Sequence, residues 1–258
     1  MKELMFSLSK FQAELKTAYI GKPIYIFEAL DSTNSYLKSL TVSGANTGTC
    51  VLAEYQWAGR GRHHRAWISS PYLNLTFSIL VPNQKTLQQP GALSLIISAA
   101  IAEGVETYVG LPVETRWPND LFLNGRKFAG ILLENVPNDP TKIVAGIGIN
   151  VNQTDFPPDI LLRATSLRLM TGREIPREPL LAHLLKNVEG ALALEVNDAL
   201  QAWERRFLLT GKTVKLDLGN EQIVGTVEGV GKDGELLLRD GMGVICHFYA
   251  GEIYQVLQ

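Results

Sequence analysis

The sequence predicts an α+β protein in two parts: a larger unit of strands and helices over residues 1–210, then a small β-barrel over residues 211–258. Two observations carry this. As far as Thr210, β-like runs are interleaved with apolar stripes at helical spacing, whereas past Gly211 short β-like runs alternate with glycine turns. A length of 258 residues suits one catalytic domain with a small appendage.

Taken in order, Asp31 or Ser32 caps a short helix carrying Leu37 and Leu40. A strand around 50–55 leads into a glycine- and arginine-rich segment at 59–65, and 73–81 reads as a second strand. Leu93, Ile96, Ile97, Ala100, Ile101, Val105 and Tyr108 fall at helical spacing and predict a long amphipathic helix. Residues 113–117 are strand-like. Asn124-Gly125, between the runs 121–123 and 127–134, is a type I′ hairpin signal, and 142–151 is a further strand. Helices resume after Pro176, through Leu184, Leu185, Val188 and Leu192, and again around Trp203 and Phe207. In the small part, strands are expected at 213–218, 223–228, 235–239, 244–249 and 253–257.

Composition excludes several classes. With 46% hydrophobic and 19% charged residues the chain is globular rather than disordered. The longest apolar run, near 93–102, is interrupted by serines and short of a membrane span. Lys2, Glu3, Lys10, Glu14 and Lys16 do not make a signal peptide, and two cysteines give neither a disulfide framework nor metal spacing, so cytoplasm is expected. The net charge is −2; residues 211–258 hold four basic and seven acidic groups, the remainder 20 basic and 19 acidic. Neither part is the basic surface that a phosphate backbone requires.

Two motifs mislead. Gly229-Val230-Gly231-Lys232-Asp233-Gly234 spells a dinucleotide fingerprint, but a strand rather than a helix follows it, so it reads as a β-turn. Gly211-Lys212-Thr213 resembles the end of a phosphate loop whose first glycine is here Arg206. Cys246 and His247 point to opposite faces of a strand and do not share a metal.

Three other segments carry chemistry. Residues 56–67 hold three arginines, two histidines, two tryptophans and no acid, with Gly59 and Gly61 leaving backbone N–H groups free to approach an anion. Arg116-Trp117-Pro118-Asn119-Asp120 runs on to Lys127 and Gly130 across the hairpin. In Gly146-Ile147-Gly148-Ile149-Asn150-Val151-Asn152, small residues let a flat ligand lie close. Singly each has a plainer account: a solvated charged loop, a solvent-facing lysine, a bulge or close strand packing.

Together with Asp31-Ser32-Thr33-Asn34 and Gly130-Ile131-Leu132-Leu133-Glu134, these segments resemble the ordered signature of biotin protein ligases, from about Phe27 to the C-terminus. The resemblance implies a mixed β-sheet with helices packed on it, as in class II synthetase-like catalytic domains, followed by an SH3-like barrel. It implies ATP-dependent activation of biotin, Mg²⁺, and a biotin carboxyl carrier protein as acceptor, with homodimerisation left open. By motif, Ser32, Thr33, Asn34 and Gln56 would bond the ureido ring. Gly59, Arg60, Gly61 and Arg62 would lie on a loop closing over carboxylate and phosphate. Lys127, beside Gly130, would touch both groups; Trp67 would stack near adenine and Asn150 meet its edge. Asn119 and Asp120 would face phosphate, the incoming lysine or Mg²⁺, for which Asp120 is the candidate ligand. Arg62, Lys127 and Asp120 would carry the catalysis.

His63 and His64 depart from the family pattern, which has glycine at the second position, and Arg116 stands where lysine is common. A lipoate or octanoate ligase is the nearest rival, but an alkyl chain needs none of the fixed hydrogen bonds that the 32–34 and 56 set offers. A non-catalytic sensor would need neither Lys127 nor Asp120. An exposed edge at 130–135 or 142–150 is expected to receive the carrier or a second subunit by strand addition. Only thirty residues precede Asp31, too few for a separate DNA-binding domain of roughly 50 residues. No sequence-specific, salt-dependent gel shift is therefore expected at nanomolar protein, and observing one would overturn that reading.

Overall fold

The computed structural model describes residues 5–83 and 90–257. Strands β1 (Ile24–Leu30), β2 (Cys50–Gln56), β3 (Leu75–Pro82), β4 (Glu114–Arg116), β5 (Asp120–Leu123), β6 (Arg126–Asn135) and β7 (Lys142–Ile149) form one sheet in the order β1-β2-β3-β7-β6-β5-β4. Only the β1–β2 pair is parallel, so the sheet is mixed, as the resemblance implies. Helices α1 (Leu8–Glu14), α2 (Thr33–Val42), α3 (Pro90–Val109), α4 (Leu167–Thr171), α5 (Arg177–Ala193) and α6 (Val196–Glu204) surround it. A five-stranded antiparallel sheet follows: β8 (Thr213–Asp217), β9 (Gln222–Val230), β10 (Leu236–Arg239), β11 (Ile245–Phe248) and β12 (Glu252–Val256), in the order β11-β10-β9-β8-β12.

Strand alternation sorts the large sheet into two faces. Leu52, Phe77, Ile147 and Ile131 stand opposite one another across β2, β3, β7 and β6, as do Leu75, Ile149 and Ala129 across β3, β7 and β6. All are buried in the main core with α3 and α5 residues such as Ile97, Ile101, Leu181 and Leu185. The residues between them face the other way. Toward the α2 end these are Val51, Leu80 and Val144, packed with Leu37. Toward the other end they are small or polar, and they make the floor of the site.

Helix α3 is less one-sided than its pattern suggests. Its Leu93, Ile97 and Ile101 join the main core, whereas Ala92, Leu95 and Ala99 join a second core with Trp117, Trp203, Phe207, Val214, Leu236 and Ile253. By length and composition Gly91–Val109 could cross a membrane, a longer stretch than the 93–102 run, but most of it lies inside this double core. The second core joins the barrel to the large sheet. The false fingerprint sits at that junction: β9 and β10 pair antiparallel around it, confirming a turn. A Cβ on Gly234 (φ +79) would lie 2.4 Å from the Ala92 nitrogen, so glycine lets the turn meet α3. The Trp117 indole donates to the Gly234 carbonyl at 2.9 Å.

Other expectations change. Asn124 and Gly125 both have positive φ, as a type I′ turn requires. Ser32 is the N-cap of α2 by position, but its hydroxyl makes no capping bond. α6 stops at Glu204, short of Phe207. α1, β1 and α4 carry little periodic signal and were not anticipated. Neither β6 nor β7 is a free edge: β7 lies between β3 and β6, and β5 covers β6 as far as Gly130. Past Ile131, which donates to the Asn119 carbonyl, the outer side of β6 has no strand partner among the described residues. That short stretch is all that remains of the expected edge.

The N-terminal segment is tied down by carboxylates. Glu54, on β2, pairs with Arg177 at the start of α5 at 2.6 Å, with side chains only 0% and 6% exposed. Glu54 also accepts from the Phe6 amide, and Glu178 accepts from that of Ser7. Removing one partner leaves a buried charge alone, which costs about 3–5 kcal/mol. Arg177→Met should therefore lower the unfolding free energy in urea by about 3 kcal/mol or more, and Glu54→Leu/Arg177→Met by less. A double variant at least as damaged as the single one would show that the pair is not the source.

Candidate active site

The floor consists of two cross-strand rows. Ala53, Thr76, Gly148, Gly130 and Asp120 stand opposite one another across β2, β3, β7, β6 and β5; Val51, Ser78, Gly146 and Leu132 form the neighbouring row. Each glycine makes room for a named side chain. A Cβ on Gly146 would lie 2.3 Å from Asn34 Oδ1, one on Gly148 2.3 Å from the Trp67 ring, and one on Gly130 3.3 Å from Asp120 Oδ1.

At one end the start of α2 forms a polar cradle. The Thr33 amide and hydroxyl donate to Gln56 Oε1 at 2.7 and 3.1 Å, so Gln56 supplies the cap that Ser32 does not. The Ser78 hydroxyl donates to Asn34 Oδ1 at 2.6 Å and lies 2.7 Å from Thr33 Oγ1. Asn34 Nδ2 donates to Glu134 Oε2 at 2.7 Å and to the Leu132 carbonyl at 3.3 Å. Ser32, Thr33 and Asn34 are all buried. The structure thus brings together the four predicted cradle residues and adds Ser78 and Glu134. Ser78 had a signal: with Thr76 it is a period-two polar pair in a strand otherwise apolar and buried as far as Val81. Glu134 ends an apolar run, a placement that sequence alone does not interpret.

The arginine-rich segment folds over the floor as a tight loop. Trp67 donates to the Gly59 carbonyl at 2.9 Å and Gly61 to that of Arg65 at 2.7 Å, around a short 3₁₀ turn, Arg62–His64. The left-handed residue there is His63 (φ 51); the side chain of His64 lies outside the described residues. Arg60 donates to Ser35 Oγ at 3.0 Å and lies 3.6 Å from Glu134. Arg62 donates to the Gly251 carbonyl at 3.1 Å, and Arg65 pairs with Glu252 at 2.7 Å, so the barrel edge is the other side of the loop's seat. Burial lowers the Arg62 pKa, opposed by the Asp120 and Glu252 charges; arginine remains a cation regardless.

At the far end of the floor Lys127 Nζ and Asp120 Oδ1 are 2.6 Å apart, with side chains 35% and 23% exposed. That oxygen has no partner in hydrogen-bond geometry, so the contact is a close ion pair rather than an aligned bond. The Lys127 backbone is held from both sides, donating to the Arg163 carbonyl and accepting from the Thr165 amide. Asn119 is turned inward, its Nδ2 donating to the Ile131 carbonyl at 2.8 Å. Arg116 stacks over Phe122, 4.2 Å from the ring centre. Around the last residues of β7, Trp67 Nε1, Asn150 Oδ1 and Thr165 Oγ1 are buried with no hydrogen-bond partner among the described residues. Buried orphans are costly, and a donor and two acceptors together suit the edge of a heteroaromatic ring. Thr165 gave no signal in the sequence.

Among the described residues no three His, Cys, Asp or Glu side chains converge on a metal. Mg²⁺ asks less: one or two carboxylates, with phosphate oxygens and waters completing its shell. Asp120 fits that donor set.

Comparison with known proteins agrees with this geometry. A family profile described as biotin/lipoate A/B protein ligase matches residues 26–152, and one described as the biotin protein ligase C-terminal domain matches 209–254. The chain is 31% identical over 246 residues to the bifunctional ligase/repressor BirA of Bacillus subtilis, covering 92% of this chain and 76% of that protein. It is 33% identical over 219 residues to a biotin–acetyl-CoA-carboxylase ligase of Mycobacterium tuberculosis, covering 81% and 80%. The structure of a biotin protein ligase from Aquifex aeolicus, in complex with biotin and ATP, is similar with a TM-score of 0.80 and 31% identity, over 90% of this chain and 98% of that one. The fold is that of the biotin/lipoate protein ligase class. Within it, the chain belongs to the biotin protein ligase family.

The Gly148–Trp67 contact can be tested without a ligand. Gly148→Ala should shift tryptophan emission while moving Tm by less than about 3 °C, less than the change expected from about 1 kcal/mol. The shift should vanish in a Trp67→Phe background. A shift that persists there would place its source elsewhere.

Proposed function

We propose that the protein activates biotin with ATP, forming biotinyl-5′-AMP, and transfers the biotinyl group to a lysine of a biotin carboxyl carrier protein or domain, in the cytoplasm. The observation that carries this reading is the hydrogen-bonded cradle of Thr33, Asn34, Gln56 and Ser78, with Ser32 buried beside it, on the same sheet face as the Lys127–Asp120 pair. A ureido ring has donors and acceptors that such a cradle can meet, whereas an alkyl chain has none and gains nothing from polar groups placed there. Calorimetric titration with biotin and with lipoate, each with and without ATP, tests the choice: biotin should bind alone, and lipoate should not.

In the first step a biotin carboxylate oxygen attacks the α-phosphorus of ATP. The new O–P bond forms as the bond to the β-phosphate bridge breaks, and pyrophosphate departs with the electron pair. The carboxylate is already a nucleophile, so the chain's task is position and charge. Lys127 exchanges its Asp120 partner for the substrate carboxylate and α-phosphate, and Arg62 adds charge from the loop. Asp120 is the side chain that would hold Mg²⁺, whose charge would offset that of the nucleotide phosphates. Trp67, Asn150 and Thr165 receive the adenine.

In the second step the carrier lysine amine attacks the anhydride carbonyl. The carbon–oxygen bond to AMP breaks, and AMP leaves with the electron pair. The amine must first lose a proton, which Asp120 accepts once Lys127 is engaged elsewhere, while the closed loop keeps water from the anhydride.

The two half-reactions separate these roles. Lys127→Ala should fail chiefly in biotin-dependent pyrophosphate release, by about 3 kcal/mol if its cation acts like an oxyanion-hole donor. Asp120→Asn should fail chiefly in transfer from supplied biotinyl-AMP to carrier. Equal losses in both assays for both variants would mean that the roles are wrongly divided.

A further inference from the structure

Glu134 has no part in the chemistry above, yet it touches both halves of the binding pocket. It lies on β6, its side chain 23% exposed, on the same face as Leu132 and Gly130. Oε2 accepts from Asn34 Nδ2 at 2.7 Å, and Oε1 accepts from Lys38 Nζ at 3.1 Å. Arg60, the first arginine of the loop, lies 3.6 Å from Oε1. Asn34 has little freedom of its own: Ser78 holds its carbonyl, and Gly146 beneath leaves no room to spare.

Resting on the ligase reading, we propose that Glu134 is a positioning residue for the biotin site. One of its oxygens orients the cradle at Asn34, the other gathers Arg60 of the covering loop, and setting the cradle and seating the loop thus become one event. A carboxylate is needed because all three neighbours, Asn34, Lys38 and Arg60, carry N–H groups toward it. An amide of the same shape has one accepting end; its NH₂ end must face either Asn34 Nδ2 or the Lys38 and Arg60 cations. Burial pushes the Glu134 pKa up, but the bonds from Asn34 and Lys38 and the charges of Lys38 and Arg60 outweigh it and hold it below the ordinary value. The group is ionised at neutral pH, as these neighbours require.

The test is calorimetric titration of the full chain with biotin alone and with ATP alone, thermal melting being run alongside. Glu134→Gln should weaken biotin binding about 10- to 100-fold, the range for losing a hydrogen bond to a charged group, and leave ATP binding unchanged. Glu134→Gln/Lys38→Met, which gives the amide NH₂ a side with one cation fewer, should bind biotin more tightly than Glu134→Gln. Should Glu134→Gln not fold, Glu134→Asp, which withdraws the charge by one methylene, should show the same selective loss for biotin. Wild-type affinity in the glutamine variant, equal losses for biotin and ATP, or no recovery in the double variant would each overturn the proposal. A wild-type protein that binds lipoate and not biotin overturns the ligase reading instead.

Discussion

The bare middle of the large sheet is the constraint on which the site depends. Gly146, Gly148 and Gly130 stand where any Cβ would meet Asn34, Trp67 or the Lys127–Asp120 pair. Without side chains there, one face of a sheet whose other face is packed core becomes a shelf. The cradle, the loop tryptophan and the ion pair all lie against it. The floor is therefore rigid: β7 pairs along its full length with β3 and β6, and their opposite faces are buried under α3 and α5. Groups that must be held to a fraction of an ångström are better placed on such a support than on free loops.

Charge is distributed over that shelf to match what arrives. On the proposed reading, anionic groups of a substrate would meet Lys127, Arg60 and Arg62, and each of these cations already has an oxygen partner: Asp120, Ser35 with Glu134, and the Gly251 carbonyl. Binding then exchanges partners rather than desolvating lone charges, which would cost far more. The loop's partners lie on two bodies, the catalytic sheet and the barrel, and the Trp117–Gly234 contact and the shared core fix those bodies to each other. The barrel is in this sense part of the seat of the loop.

Much of this was legible in the sequence. Strand-like runs located β2, β3, β6 and β7, the Asn124-Gly125 pair marked the β5–β6 hairpin, and the strand that follows the 229–234 glycines ruled out a dinucleotide site there. The motif resemblance named the cradle residues, the loop, Lys127 and Asp120, and the structure gathers them on one face, adding that the last two form an ion pair. α1 and α4 escaped because they are short, and β1 because it is an edge strand without a clear inward and outward alternation.

By itself the sequence determined most of the strands and helices and the hairpin turn, because local periodicity and turn chemistry are properties of the chain near each residue, and its motifs offered by resemblance the residues expected to bind and activate a carboxylate. Tertiary structure decided the rest. Ser78 joins Asn34 from 44 positions away, Glu134 from 100, and Thr165 meets Asn150 only because the segment after β7 folds back along β6. Partnerships of that kind depend on which strands become neighbours. Strand order is set by how the whole chain buries its apolar faces, so no local pattern of residues encodes it.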